Sequence, residues 1–161
     1  MDRPLRKMSS LNSGIALHGV PGHRIRRLQQ IAVAAFMRES GDSAVTPVQF
    51  AVLQTLGAQS GIDQRTLASV VSFDTSTIGS VVDRLEARGL LTRRHSDGDR
   101  RVRLLDLTPE GQALLAQLTP CVQRTQKRIL EPLTAAERKE FMRMMQLVIA
   151  HHEDLAETPL P

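Results

Sequence analysis

The chain of 161 residues predicts a mostly α-helical fold with one small β-hairpin. Apolar residues recur at helical spacing in six segments, several of which follow a Thr or Asp suited to a helix N-cap. Two short segments with strand character flank Asp97-Gly98, a dipeptide typical of tight hairpin turns. The length suits one domain with its own hydrophobic core rather than two.

An arm and two helices are predicted at the N-terminus. Residues 1–14 are polar and lack a period, which predicts a flexible arm. Apolar residues at helical spacing predict a first helix over Pro21–Arg38, and the pattern breaks over Glu39–Val45. Thr46, a following proline and a glutamine three residues after the cap predict a second helix from Pro47 to about Gln59.

Two shorter helices joined by a tight turn are predicted next, over Asp63–Val71 and Thr75–Arg88. Asp74 is the expected N-cap of the second, and Gly89 suits the left-handed residue that ends a helix. The predicted buried stripe of this second helix is Ile78, Val82 and Leu85. The opposite face carries small hydroxyl side chains and one cation, namely Ser76, Thr77, Ser80 and Arg84.

This pair of helices and the hairpin form one predicted DNA-docking unit. A second helix with short polar side chains is able to enter a major groove, as in a helix-turn-helix, and the strands predicted over 90–94 and 101–107 form a wing beside it. From Arg84 to Arg103 there are seven arginines against three acidic residues. The formal charge of +4 is modest, so the argument for a phosphate partner depends on this cluster.

The two C-terminal helices are predicted to serve dimerisation. One begins at Thr108-Pro109 and continues to about Leu130, with a bend expected at Pro120. The last begins at the capping box of Thr134 and has a broad apolar face: Phe141, Met144, Met145, Val148, Ile149, His152 and Leu155. A symmetric dimer would bury this face and set two recognition helices about 34 Å apart, one turn of duplex.

The ordered motifs resemble the MarR family of winged helix-turn-helix regulators. They are Leu67-Ala68, Ser76-Thr77-Ile78, Val82-Asp83-Arg84-Leu85, Arg88-Gly89-Leu90-Leu91, Asp97-Gly98-Asp99-Arg100-Arg101, Leu105-Asp106-Leu107-Thr108 and Gly111. The resemblance implies a single domain over 15–161, with the winged helix-turn-helix at 46–107 and dimerisation helices at 15–40 and 108–157. It also implies a homodimer that binds pseudo-palindromic operators, usually represses, and responds to small, often aromatic and anionic ligands.

Two sets of site residues follow from these interpretations. The predicted double-stranded DNA contacts are Asp74, Thr75, Ser76, Thr77, Ser80, Arg84, Arg94, Asp99, Arg100 and Arg101. One arginine of the wing is expected in a minor groove, with Asp99 holding a guanidinium in place. The candidate contacts to an aromatic acid are His18, His23, Arg27, Gln30 and Phe50. The alternative for this second set is that Arg27 and Gln30 are surface residues and Phe50 belongs to the core.

Composition narrows the remaining classes of function. A single cysteine and the lack of a secretory signal pattern suit a reducing cytoplasm, and no stretch approaches the roughly 20 apolar residues of a membrane span. No phosphate loop, metal constellation, cofactor motif or nucleophile elbow suggests an enzyme. Two alternatives stay open: a redox-sensing regulator acting through Cys121, and an architectural protein that binds DNA without sequence preference.

Overall fold

The computed structural model describes residues 19–96, 98–99 and 101–153. Within these ranges the chain forms α1 (Pro21–Ser40), α2 (Pro47–Ala58), α3 (Gln64–Val70), α4 (Thr75–Ala87), α5 (Pro109–Ile129) and α6 (Ala135–His151). Three strands, β1 (Ile62–Asp63), β2 (Leu91–His95) and β3 (Arg103–Leu107), form an antiparallel sheet in the order β1-β3-β2. The predicted fold class, mostly α with a small β-hairpin wing, is confirmed. The predicted arm of residues 1–14 lies outside the described residues.

Local side-chain caps explain where the helices begin. Thr46 and Thr134 each accept a hydrogen bond from the backbone N–H three residues later, and the Gln49 or Glu137 side chain there accepts one in return. Asp63 accepts from the N–H groups of Arg65 and Thr66 at 2.9 Å each. These contacts satisfy amide groups that the first helical turn leaves without partners.

The core joins the helix-turn-helix to the sheet. The recognition helix α4 contributes Ile78, Val82 and Leu85, each 0% exposed, which confirms the predicted stripe. They pack with Leu53, Leu56, Leu67, Leu91 and Leu105 from α2, α3, β2 and β3. A smaller cluster of Phe36, Val45, Phe50 and Leu118 joins α1, α2 and α5. The winged unit therefore has its own core, and the second cluster attaches it to the long helices.

Helix α1 continues to Ser40, two residues beyond the predicted end. Glu39, expected in the interruption, lies in the last turn of α1, where its carboxylate accepts hydrogen bonds from Arg124 at 2.8 Å and Arg128 at 3.0 Å on α5. The hydrogen bond from Arg124, with the charge of Arg128, lowers the pKa of Glu39 against the opposing effect of burial. A contact across 85 residues has no local sequence signal.

Strand β1 and the hairpin register also differ from the prediction. Ile62 pairs with Leu105, adding a third strand of two residues that alternation cannot reveal. In the hairpin, Leu91 pairs with Leu107 and His95 with Arg103, so the register centres the connection on Asp99. The paired strands are therefore separated by more than two residues, and the Ser96 N–H donates to Val102 O at 3.0 Å. Asp97 of the predicted Asp97-Gly98 turn lies outside the described residues.

A close contact joins the end of α4 to the start of α5. Gly89, with φ +69°, ends α4, and the Leu90 N–H donates to Leu85 O at 3.0 Å. Gly111 in the first turn of α5 lies so near this segment that a Cβ there would meet Leu90 O at 1.9 Å. α5 continues through Pro120.

Candidate nucleic-acid interface

Asp74 organises the N-terminal end of the recognition helix. Its carboxylate accepts hydrogen bonds from the Ser76 hydroxyl at 2.6 Å, the Thr77 hydroxyl at 2.5 Å and the Thr77 backbone N–H at 2.8 Å. The Ser76 and Thr77 hydroxyls, followed by this backbone contact, lower the pKa of Asp74 far below its usual range. The Asp74, Ser76 and Thr77 side chains are thereby held in one geometry at the N-terminal end of α4.

The side chains predicted to contact DNA from α4 lie together at its surface. Ser76, Ser80 and Arg84 are exposed, and Thr77 is half-buried beside them. The Ser80 hydroxyl donates to Ser76 O at 3.3 Å, which keeps it on the helix surface. Gly79 lies on this part of α4, where a Cβ would stand 3.0 Å from Nε2 of Gln64 on α3. The side chains of this face are mostly short and polar, and α3 lies close to it.

The wing places Arg101 at its exposed end. The Asp99 carboxylate accepts the backbone N–H of Arg101 at 2.9 Å, so among the described residues Asp99 holds the main chain of the wing. Arg101 is exposed and has no ion pair within the ranges that the structure describes. Arg100, also predicted as a DNA contact, lies outside the described residues.

Several arginines of the cluster bind the protein itself. Arg93 on β2 forms ion pairs with Asp83, at 2.5 Å, and Glu86 on α4. Burial opposes the charge of Arg93, but its hydrogen bond to Asp83 and the nearby Glu86 raise its pKa. Arg94, a predicted DNA contact, pairs with Asp106 at 2.7 Å across the hairpin. Arg88 donates to the backbone oxygens of Ser43 and Ala44, each at 3.1 Å.

Fewer arginines are therefore available to bind a partner than the sequence suggested. Among the described arginines of this cluster, Arg84, Arg101 and Arg103 are exposed and lack an ion pair. One lies on the recognition helix and two on the wing. The other three described arginines brace the helix, the hairpin and the loop before α2, roles that local sequence did not indicate.

The arrangement has known counterparts. A model of the MarR family matches residues 45–102, the span that carries α2, α3, α4 and the start of the wing. The repressor NicR of Pseudomonas putida, an HTH-type transcriptional repressor, is 31% identical over 133 residues, covering 83% of this chain and 84% of that protein. This chain belongs to the MarR family. It is a transcriptional regulator of that family.

Two solved structures of MarR-type regulators match nearly their whole length. The PcaV regulator of Streptomyces coelicolor, in complex with its natural ligand, is 37% identical with a TM-score of 0.79, covering 86% of this chain and 97% of PcaV. BpsR of Bordetella bronchiseptica, whose DNA binding is regulated by 6-hydroxynicotinic acid, is 31% identical with a TM-score of 0.79. That match covers 84% of this chain and 96% of BpsR.

The predicted ligand residues are only partly brought together. His23 and Arg27 line an open groove of about 420 Å³ on α1 with Arg24, Leu28 and Ile31. Gln30 accepts a hydrogen bond from Arg27 at 3.1 Å. Phe50 is instead 7% exposed in the core, with its ring centroid 5.9 Å from that of Phe36, as the alternative interpretation had it. His18 lies outside the described residues.

The remaining candidate sites differ in what surrounds them. Cys121 is half-buried on α5, and its Sγ accepts an N–H of Arg124 at 3.3 Å. His151 and His152 contact each other edge to face at 4.7 Å between ring centroids. Within the described part of the chain no group of three His, Cys, Asp or Glu side chains is suited to a metal ion. None of the described helices is both long and apolar enough to cross a lipid bilayer.

Proposed function

We propose that the chain acts as a homodimer that binds a pseudo-palindromic operator and is released by a small aromatic carboxylic acid. The observation that carries the proposal is the pairing of two exposed elements on one core. The hydroxyl-bearing face of α4 lies beside a hairpin whose exposed Arg101 forms no ion pair with a described residue. Major-groove reading by a helix and minor-groove contact by an arginine require these two elements side by side.

The dimer is inferred from α6, which exposes apolar side chains. Not one of its described residues is buried. Met142, Met144, Leu147, Val148 and Ile149 are between 46% and 61% exposed. On the N-terminal half of α1, Ile25, Leu28 and Ile31 are also exposed. Apolar surface on this scale favours burial against a partner, and a second copy supplies a self-complementary one.

Such a dimer would place two α4 helices on one face of a duplex. Their N-terminal ends would reach successive major grooves, and Arg84, near the C-terminal end of α4, would lie toward the sugar-phosphate backbone. Arg101 would follow the minor groove beside each half-site. Sequence preference is what distinguishes this proposal from an architectural protein, so the ratio of specific to random-duplex affinity at one salt concentration is its first measurement.

The ligand is inferred from the groove on α1. Arg27 offers a planar pair of donors that suits a carboxylate, and exposed Leu28 and Ile31 offer apolar walls for a ring. One helix alone leaves the groove open, so a second copy would complete it. The ligand-regulated relatives support an aromatic acid: BpsR responds to 6-hydroxynicotinic acid, and PcaV is solved with its natural ligand.

The experiment combines both parts of the proposal. Duplexes selected by the protein from a random library are titrated by fluorescence anisotropy, with and without a panel of aromatic acids. At least one acid is expected to weaken binding, and Arg27→Ala is expected to abolish its effect while leaving ligand-free DNA affinity intact. Arg38→Ala, an equal change of charge at the other end of α1, is the matched control. An acid response that persists in Arg27→Ala would remove the α1 groove from the proposal.

A redox-sensing version has one supporting contact. An N–H of Arg124 lies 3.3 Å from the Cys121 sulfur, the atom that an oxidant would attack. Under this alternative, peroxide releases the operator and Cys121→Ser removes that release without changing the response to aromatic acids. Release by peroxide in Cys121→Ser would reject it.

A further inference from the structure

Phe73 is an aromatic side chain that the fold leaves in contact with water. The chain has four phenylalanines and neither tryptophan nor tyrosine. Phe36 and Phe50 are 6% and 7% exposed and Phe141 is half-buried, whereas Phe73 is 41% exposed. It immediately precedes Asp74, the cap of the recognition helix. An exposed ring therefore stands at the end of α4 that enters the groove.

The backbone fixes where this ring begins. Ser72 has φ +55°, a conformation that a residue with a Cβ rarely adopts. The Ser72 N–H donates to Ser69 O at 3.1 Å, and the Phe73 N–H donates to Ala68 O at 3.0 Å. This turn conformation and its two hydrogen bonds fix the position of the Phe73 Cα relative to α4. Backbone strain of this kind is commonly retained at functional sites.

Packing within the chain leaves part of the ring uncovered. A residue before an N-cap often packs against the fourth residue of the helix, here Ile78. Ile78 is already 0% exposed among the leucines and valines of the core. Whatever Phe73 contributes to that contact, 41% of its surface stays exposed, beside Val70 at 55%. The end of α4 therefore presents an apolar surface next to the hydroxyls of Ser76 and Thr77.

Only one base offers a matching apolar group in the major groove. Thymine carries a C5-methyl group there, whereas the other bases present hydrogen-bond donors and acceptors. We propose that Phe73 contacts this methyl group and makes thymine a required base in each half-site. The proposal depends on the DNA-binding function proposed above and adds a specificity residue to it. The hydroxyl face then supplies polar contacts beside an apolar one.

Deoxyuridine tests the contact, because it differs from thymidine only by the missing methyl group. Duplexes selected by the full-length protein are remade with each thymine replaced in turn by uracil, and affinities are measured by anisotropy at one salt concentration. At the contacted position uracil should weaken wild-type binding about fourfold, the effect of one buried methyl or methylene group. Phe73→Ala should bind thymine and uracil duplexes equally, and Phe73→Leu should retain part of the preference.

Val70→Ala is the matched control, since it removes a neighbouring exposed apolar side chain and should keep the wild-type preference. Circular dichroism of each variant shows whether it is folded. A selected motif without thymine, or the same thymine-to-uracil ratio in wild type and Phe73→Ala, overturns the proposal. So does a change of oligomeric state in Phe73→Ala with an unchanged ratio, which assigns the ring to a protein contact. Failure of the wild type to select any duplex instead rejects DNA binding itself.

Discussion

At the scale of single residues, Asp74 makes the stability of the fold depend on pH, through its contacts at the N-terminal end of α4. Three hydrogen bonds favour its charged form and lower its pKa in the folded chain. An unfolded aspartate has a pKa of about 3.9. Because the folded value is the lower one, the stabilisation is complete above that pH and is lost as the pH falls below it.

We therefore expect Asp74→Asn to reduce the acid sensitivity of folding. The amide keeps an acceptor for the Thr77 N–H but does not titrate. Urea unfolding between about pH 5 and pH 3 should show a shallower loss of stability in this variant than in wild type. Asp42→Asn, at an exposed aspartate that makes no hydrogen bond within the described ranges, should keep the wild-type slope. Identical slopes in all three proteins would mean that protonation of Asp74 does not affect the stability of the fold in solution.

Arg84 provides a second prediction at this scale, concerning the salt dependence of operator affinity. It is exposed on α4, and no acidic side chain among the described residues forms an ion pair with it. If it lies on the phosphate backbone, Arg84→Ala should lower the slope of log affinity against log salt by about 0.9 for each copy bound. Arg38→Ala on α1 should leave the slope unchanged. An unchanged slope with relaxed base preference would instead place Arg84 on a base edge.

At the scale of elements, the features that could be predicted from sequence are those that depend on neighbouring residues in the chain. The starts of α2, α3, α4, α5 and α6 depend on side chains within three residues of each cap, and all five were predicted. The burial of Phe50 on α2 follows from helical spacing, whereas the pairing of Ile62 with Leu105 and the ion pairs of Arg93 with α4 join residues of different elements. Spacing alone contains no information on such contacts, so the β1 strand and three braced arginines were missed.

The α4–α5 junction gives a prediction for an element boundary. Gly111→Ala would place a methyl group against Leu90 O, a backbone atom that cannot rotate away. We expect this variant to lose about 3 kcal/mol of unfolding free energy, the upper range for overpacking. The measurement is urea denaturation followed by circular dichroism. Gly22→Ala, in the first turn of α1 with nothing within 4 Å of the added carbon, should change stability by less than about 1 kcal/mol. Equal effects of the two substitutions would contradict the close approach.

At the scale of the whole molecule, α6 is the proposed dimer interface. Val148 is 55% exposed on its apolar side, and Gln146 is exposed on the opposite side. Val148→Asp should convert a dimer to monomers and remove operator binding, because a buried unpaired carboxylate opposes association. Multi-angle light scattering measures the mass directly. Gln146→Asp should remain dimeric. A monomeric wild type, or a dimer unaffected by Val148→Asp, would contradict an interface built on α6.

The Arg88 side chain connects the recognition helix α4 to the segment that follows α1. Its guanidinium spans from the tail of the recognition helix to the main chain just after α1, through Ser43 and Ala44. The two hydrogen bonds therefore link these segments directly. A movement of one segment along the other would have to break both bonds. A tilt of α1 would therefore reach the C-terminal end of α4 through two hydrogen bonds at the protein surface as well as through packed side chains.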